Sequence, residues 1–210
     1  MIKAILFDID DTLIKTFETK KEALKDMGRM YYDTKLDDET IRTHWGKPIK
    51  ELLSILFKNI KDLEEGFERY VIARELYPTV AYEDAINTIN TLSKKHLLGL
   101  ITNKSKRYIN DDLTIAKIPQ DLFFIIQTEE DNIVHKPDPR VFDFTLNELT
   151  KKGVKKNEVI YIGDTVSDFM AASGAGIKFY AIAGRTTPKS EFDKLHAKTI
   201  STLSELVNLL

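Results

Sequence analysis

Short apolar runs and longer helical patterns take turns along this chain, and that alternation restricts the fold more than any other feature. Five segments rich in β-branched and apolar residues read as strands: Ile2–Phe7, Leu97–Thr102, Leu122–Thr128, Val159–Ile162 and Lys178–Ala183. Between the later ones lie amphipathic patterns. Glu83–Lys95 carries Ala85, Ile86, Ile89 and Leu92 on one face, and Arg140–Lys151 carries Val141, Phe144, Thr145 and Leu149. Strands joined through helices run parallel, cross over right-handed and are covered on both faces.

From about Lys15 to about Tyr77 the rhythm breaks, with no convincing strand. Helical spacing there predicts Thr16–Tyr31, Asp38–Thr43, Ile49–Phe57 and Asp62–Tyr77, and the Pro78 region returns the chain to the sheet. The expected class is α/β: a doubly wound, Rossmann-like parallel sheet core, residues 1–14 and 80–210, with an inserted all-α domain, residues 15–79. Gly184–His196 reads as a surface loop, followed by a short strand near Thr199 and a closing helix from Ser204.

Bulk composition excludes several function classes. Lys and Arg total 31 against 33 Asp and Glu, so a net charge of −2 offers no basic excess for nucleic acid. No run approaches the ~18 apolar residues of a membrane span, and the stretch "MIKAILFDID" lacks a signal peptide's long apolar stretch and small-residue cleavage site. With no cysteine there is no disulfide or thiolate metal site, and the four histidines have no zinc-ligand spacing. A cytoplasmic protein, monomer or homodimer, is the expectation.

In an open α/β sheet, ligands bind beyond the carboxyl ends of the strands. The first strand ends in "FDIDDT", with Asp8, Asp10, Asp11 and Thr12; the second in "ITNKS", with Thr102, Asn103 and Ser105. The fourth ends in "GDTVSD", with Asp164, Thr165 and Asp168, and Lys136 in "VHKPDP" follows the third. Each stretch alone suits a helix cap or turn: Thr102 could cap a helix near Lys104, and Thr165 or Ser167 one over Asp168–Ser173. Converging at one end of one sheet, they make a hard oxygen site suited to Mg2+, with a lysine and a hydroxyl for phosphate oxygens. An aspartate there could attack phosphorus, with a second carboxylate as acid and then base. A two-residue strand period directs Asp8 and Asp10 to one side and turns Asp11 to the other, which makes Asp11 a turn or capping residue outside the chemistry.

These stretches, in order, are the four signature motifs of the haloacid dehalogenase superfamily, which the chain resembles over essentially its whole length. They are "DIDDT", "ITN", "HKPDP" and "GDTVSD". The helical insertion is similar to the α-helical cap of the phosphoglycolate-phosphatase-like branch. The resemblance implies that Asp8 is nucleophile and metal ligand, and that Asp10 is general acid and base with its carbonyl on the metal. It implies that Thr102 binds the phosphoryl group, Lys136 neutralises its charge and holds Asp8, and Asp164 ligates Mg2+. Asp168 would support Lys136 or the metal shell, Thr12 would brace the first loop, and Asn103 would supply a backbone or side-chain donor to phosphate.

Substrate choice is expected from the cap, where "HWGKPIKEL" resembles the Gly-x-Pro loop of this branch. Trp45, Lys47 and Lys50 are the candidates to touch the leaving group, with Thr16 and Phe17 as further ones; the alternative is that Trp45 packs in the cap and the lysines are solvated. The expected function is a Mg2+-dependent phosphatase of a small-molecule phosphate ester, acting through an aspartyl-phosphate. A phosphomutase of the β-phosphoglucomutase type is the first alternative. It is disfavoured by Lys20, where that branch usually has histidine, and by Ile49, where it tends to have arginine. A catalytically inactive binding module of the same fold is the second.

Overall fold

The computed structural model describes residues 1–45, 47, 49–131 and 133–210. These form two compact units: residues 1–14 with 81–210, and residues 15–80.

The first unit holds six parallel strands: β1 (Ala4–Phe7), β2 (Leu97–Ile101), β3 (Phe123–Gln127), β4 (Val159–Gly163), β5 (Lys178–Ile182) and β6 (Lys198–Ile200), in the order β3-β2-β1-β4-β5-β6. The first strand therefore lies between β2 and β4, with Ala4 in register with both Leu97 and Val159. Its neighbours on either side begin new directions across the sheet, which makes the end of β1 the switch point. Every residue of β1 is buried, and its side chains alternate. Ile5 and Phe7 join Ile89, Leu100, Ile109 and Ile162 on one face; Ala4 and Leu6 join Val141, Phe142, Tyr161 and Ala171 on the other. A strand buried on both sides must be apolar throughout.

Helices α5 (Ala85–Leu92), α6 (Lys106–Ile115) and α10 (Glu205–Leu209) supply the first face. Helices α7 (Asp143–Lys151), α8 (Val166–Ala175) and α9 (Lys189–Lys194) supply the second. The expected surface loop at Gly184–His196 thus contains a helix. Six residues are too few to show a period, and the burial of Phe192 that anchors them depends on the opposing sheet. The expected helix over Arg140–Lys151 divides into a 3-10 turn at Pro139–Phe142 and then α7.

The second unit is entirely helical: α1 (Thr16–Tyr31), α2 (Asp38–His44), α3 (Ile49–Leu56) and α4 (Leu63–Glu75). Its own core gathers Phe17, Leu24, Met27, Ile41, Leu53, Phe57 and Tyr70. Asp37 and Asp62 cap α2 and α4 by accepting from Thr40 N and from Glu64 and Glu65 N. No helix among the described residues is long and apolar enough to cross a membrane.

Candidate active site

Beyond the end of β1, the Asp8 N–H still pairs with the Ile162 carbonyl of β4 at 2.8 Å, so Asp8 leaves the strand in a fixed direction. Its carboxylate is buried, and Oδ1 accepts from Lys136 Nζ at 2.5 Å. The same ammonium donates to Asp168 Oδ1 at 2.7 Å and to the Tyr161 hydroxyl at 3.0 Å, so its three protons are all engaged. Tyr161 in turn donates to Asp168 Oδ1 at 2.9 Å.

Lys136 lies in a connection, yet two side chains fix its root. Asn103 accepts from the Lys136 N–H at 3.0 Å and donates to the Lys136 carbonyl at 3.2 Å. The Gln127 amide donates to the Val141 carbonyl at 2.6 Å and accepts from Thr145 Oγ1 at 2.6 Å, tying the far end of the segment to β3. Of the two donors expected of Asn103, the side chain is therefore committed to the Lys136 peptide, which leaves the backbone N–H as its donor to phosphate. At the end of β2, Thr102 is buried and its Oγ1 accepts from Lys104 N at 3.1 Å, so its own O–H is the donor it can offer. The cap of α6 is not Thr102: Ser105 is the N-cap, and Glu130 takes both the Ser105 hydroxyl at 2.5 Å and the Lys106 N–H at 2.8 Å.

After β4, Thr165 caps α8 in a reciprocal box with Asp168: Thr165 Oγ1 accepts from Asp168 N at 3.1 Å, and Asp168 Oδ2 accepts from Thr165 N at 3.1 Å. Asp168 so serves the helix with one oxygen and Lys136 with the other. Gly163 leaves it room, since a Cβ there would lie 2.5 Å from Asp168 Cγ. Asp164 accepts from the Thr12 hydroxyl at 3.3 Å on Oδ1 and from the Thr186 hydroxyl on Oδ2.

The electrostatics follow from burial and like charge. Burial pushes the Asp8 carboxyl up to about 7, against the pull of Lys136 and with Asp168 and Asp10 adding to the rise. Burial, then the charges of Asp168, Asp11 and Asp8, hold Asp164 well above the usual carboxylate range. Burial also acts to raise Asp168, but Lys136 with hydrogen bonds from Thr165 and Tyr161 outweighs it and keeps that carboxyl below its ordinary value. Asp8, Asp164 and Asp168 each bring one oxygen within 4.8 Å of the other two. Fully ionised, three carboxylates against one ammonium would leave two negative charges in a buried, all-oxygen setting, and the raised Asp8 and Asp164 show that this charge needs a counter-charge such as a hard divalent cation.

Asp11 lies in a turn, as expected: it is buried with a left-handed backbone (φ 54°), and its charge is among those that raise Asp164. The Asp10 carboxylate lies outside the three-carboxylate cluster found among the described residues. Its Oδ1 instead accepts from Lys104 Nζ at 2.6 Å, and Lys104 also pairs with the buried Asp112 of α6 at 2.6 Å.

Lys104, Asp112, Tyr161, Thr186 and Arg185 were not singled out by the sequence patterns. Arg185 donates to the carbonyls of Asp11 and Thr12 and covers the Tyr82 ring, 3.4 Å from its centroid. One signal was present: Tyr161 is the only hydroxyl-bearing side chain in the otherwise apolar strand VIYIG.

In the helical unit, Trp45 packs edge-on against Phe17 with ring centroids 5.2 Å apart. Lys47 pairs with Glu51 at 2.5 Å, and Lys50 with Glu64 at 2.5 Å. Phe17 and Thr16 are buried, as is Lys20, which donates to Thr79 Oγ1 at 3.1 Å. Gly46 and Pro48 of the expected Gly-x-Pro loop lie outside the described residues.

A family model described as "Haloacid dehalogenase-like hydrolase" matches residues 5–182. Among curated proteins, the chain is 28% identical over 185 residues to "Pyrophosphatase PpaX" of Anoxybacillus flavithermus, covering 87% of this chain and 84% of that one. It is 26% identical over 197 residues to "Validoxylamine A 7'-phosphate phosphatase" of Streptomyces hygroscopicus subsp. limoneus, covering 91% and 89%. A solved HAD-superfamily hydrolase, subfamily IA, variant 1, from Geobacter sulfurreducens PCA superposes with a TM-score of 0.76 at 24% identity, covering 100% and 96%; at that identity it speaks to fold alone. Since the model spans most of the chain, including the strand ends that carry Asp8, Lys136 and Asp164, the protein belongs to the haloacid dehalogenase-like hydrolase family.

Proposed function

We propose that this protein is a phosphatase that hydrolyses a small phosphorylated metabolite through an aspartyl-phosphate on Asp8, with Mg2+ as cofactor. The observation that carries the reading is the buried Asp8 carboxylate, held by Lys136 at 2.5 Å beside Asp164 and Asp168. A nucleophilic carboxylate needs a fixed direction and a neighbour that absorbs the incoming phosphate charge, and Lys136 supplies both.

Asp8, Asp164 and the Asp10 carbonyl would hold the cation, which when bound neutralises phosphate charge. In the first half-reaction an Asp8 oxygen forms a bond to phosphorus as the bond to the leaving oxygen breaks, and Asp10 gives that oxygen a proton. In the second, Asp10 takes a proton from water as the water oxygen bonds to phosphorus, and the Asp8–phosphorus bond breaks to release phosphate. The Thr102 hydroxyl donates to a phosphoryl oxygen through both steps, while Lys136 faces the accumulating charge.

The inserted helical unit is proposed as the cap that selects the leaving group, with Trp45 and Lys47 as its candidates. The two curated relatives are named for unlike substrates, one for pyrophosphate and one for validoxylamine A 7'-phosphate. The substrate class is accordingly kept to small phosphate esters and anhydrides.

The test is a screen of phosphoglycolate, sugar phosphates, nucleotides and pyrophosphate with Mg2+, on wild type and Asp8→Asn. Phosphate release by wild type and its loss in the variant are expected. Release from none of them, or equal release by the variant, overturns the reading.

A further inference from the structure

Outside the Asp8 cluster, the first unit contains a second charged group built from separate elements. Lys104 Nζ sits between Asp10 Oδ1 and Asp112 Oδ2, 2.6 Å from each. Asp112 is almost wholly buried, its side chain 2% exposed, whereas the Asp10 side chain is 31% exposed. The Lys104 backbone is pinned on both sides: its N–H donates to Thr102 Oγ1 at 3.1 Å, and its carbonyl accepts from Glu129 N at 3.1 Å.

Such an arrangement is a poor way to stabilise a fold. Burying a lysine and an aspartate costs several kcal/mol of desolvation per ion, and an apolar pair of similar volume is often as stable or more so. A carboxylate as open as Asp10 needs no ammonium for the sake of folding, because water would solvate it. What the arrangement does accomplish is directional. An aspartate carboxyl turns broadly about its Cβ–Cγ bond, and a lysine alone, on a flexible stem, would follow it. Asp112 removes that freedom by holding the ammonium from the helix side.

We propose that Lys104, braced by Asp112, is the positioning residue for Asp10, fixing the direction from which Asp10 delivers its proton to the leaving group. This rests on the assignment of Asp10 as acid and base in the proposed phosphatase reaction. General acid catalysis requires the donor within about 2.6 to 3.2 Å of the atom it protonates, so a carboxyl free to turn gives up most of its value. Thr102, which roots Lys104 through its Oγ1, couples the position of this carboxyl to that of the phosphoryl donor on the same turn.

A contribution of this kind has a signature in the leaving group. Alkyl phosphates expel a strongly basic alkoxide and need the proton, whereas 4-nitrophenyl phosphate expels a stable phenolate and does not. The experiment measures kcat/KM, which covers the steps up to departure of the leaving group, across a series of alkyl and aryl phosphates for wild type, Lys104→Met and Asp10→Asn, with Asp8→Asn as control. The double variant Lys104→Met, Asp112→Leu removes the buried pair together and leaves no orphaned charge to unfold the chain.

Both Lys104 variants are expected to lose about a hundredfold in kcat/KM on alkyl phosphates. The expected loss in kcat/KM on 4-nitrophenyl phosphate is less than about fivefold, and Asp10→Asn is expected to show the same selective loss in kcat/KM, whatever its kcat loses through the base role that all the esters share. Adding Lys104→Met to Asp10→Asn should cost nothing further. Equal losses in kcat/KM on both ester classes, or additive losses in the combined variant, overturn the positioning role. Full activity retained by Asp8→Asn instead overturns the reaction on which it rests.

Discussion

Asp168 Oδ1 accepts from Lys136 Nζ at 2.7 Å in a setting where both side chains are nearly sealed from water. Removing the charge of Asp168 leaves the Lys136 ammonium with Asp8 and a phenol. Asp168→Asn is expected to lower stability by about 2 to 3 kcal/mol, the usual range for a hydrogen bond to a charged group. It is also expected to lower kcat by about tenfold to a hundredfold, through misplacement of Lys136. Urea denaturation and initial rates on the best substrate of the screen check the two numbers.

Gly163 is required by proximity. Its φ is unremarkable, but a methyl group there would lie 2.5 Å from Asp168 Cγ and 2.6 Å from Asp168 Cβ. Neither atom is the loose end of a flexible chain, because Asp168 is held by Lys136, Tyr161 and Thr165. Gly163→Ala is expected to cost about 1 to 3 kcal/mol by overpacking, and to lower activity at least as far as Asp168→Asn does. A variant with wild-type stability and rate would show that Asp168 can move aside freely.

Removal of divalent cation should expose the repulsion among Asp8, Asp164 and Asp168. Saturating Mg2+ added to chelator-treated protein is expected to raise stability, by about 2.7 kcal/mol at a hundred times its Kd. Because Asp164 is pushed well above the usual carboxylate range by burial and like charge, Asp164→Asn relieves part of that repulsion. The metal-free variant is expected to melt at or above metal-free wild type, and to gain little from Mg2+. Differential scanning calorimetry with and without the cation is the measurement.

In the helical unit, hydrogen bonds from Lys21 and then Lys25 hold the Asp38 carboxyl at about 2, below its ordinary 3.8. Lys21 Nζ lies 2.8 Å from Asp38 Oδ2, linking α1 to the first turn of α2. A depressed folded pKa means that the contribution is complete above 3.8 and is lost as pH falls through about 2. The stability gap between wild type and Asp38→Asn is expected to stay constant from about pH 7 to pH 5 and to narrow between about pH 4 and pH 2. Thermal melts across that range decide it. A gap that widened on acidification would contradict the geometry.

The strands and long helices were legible because each announces itself locally. Ala4–Phe7 is apolar throughout, and Thr16–Tyr31 keeps one period over sixteen residues. That Asp8, Thr102, Lys136 and Asp164 follow strands was also legible, since strand ends can be read without knowing which strands touch. What remained hidden depends on distant parts of the chain. Lys104 stands in the quoted stretch "ITNKS", but only α6 brings Asp112 to it. Asn103 has the composition of a phosphate donor, yet the Lys136 peptide reaches it from 33 residues away. The helix Lys189–Lys194 has no pattern of its own.

The strand that carries Asp8 sits in the middle of the sheet, with Ala4 paired to Leu97 on one side and Val159 on the other. During synthesis it leaves the ribosome before either neighbour, so it waits for both to follow. Until Val159–Gly163 has emerged, a fully apolar strand waits with one edge open, the condition in which nascent chains aggregate or recruit chaperones. Contacts of such long sequence separation also slow folding. The arrangement has a compensation: no truncated product that stops before β4 can assemble the nucleophile with Asp164, so a partial chain is an inert one.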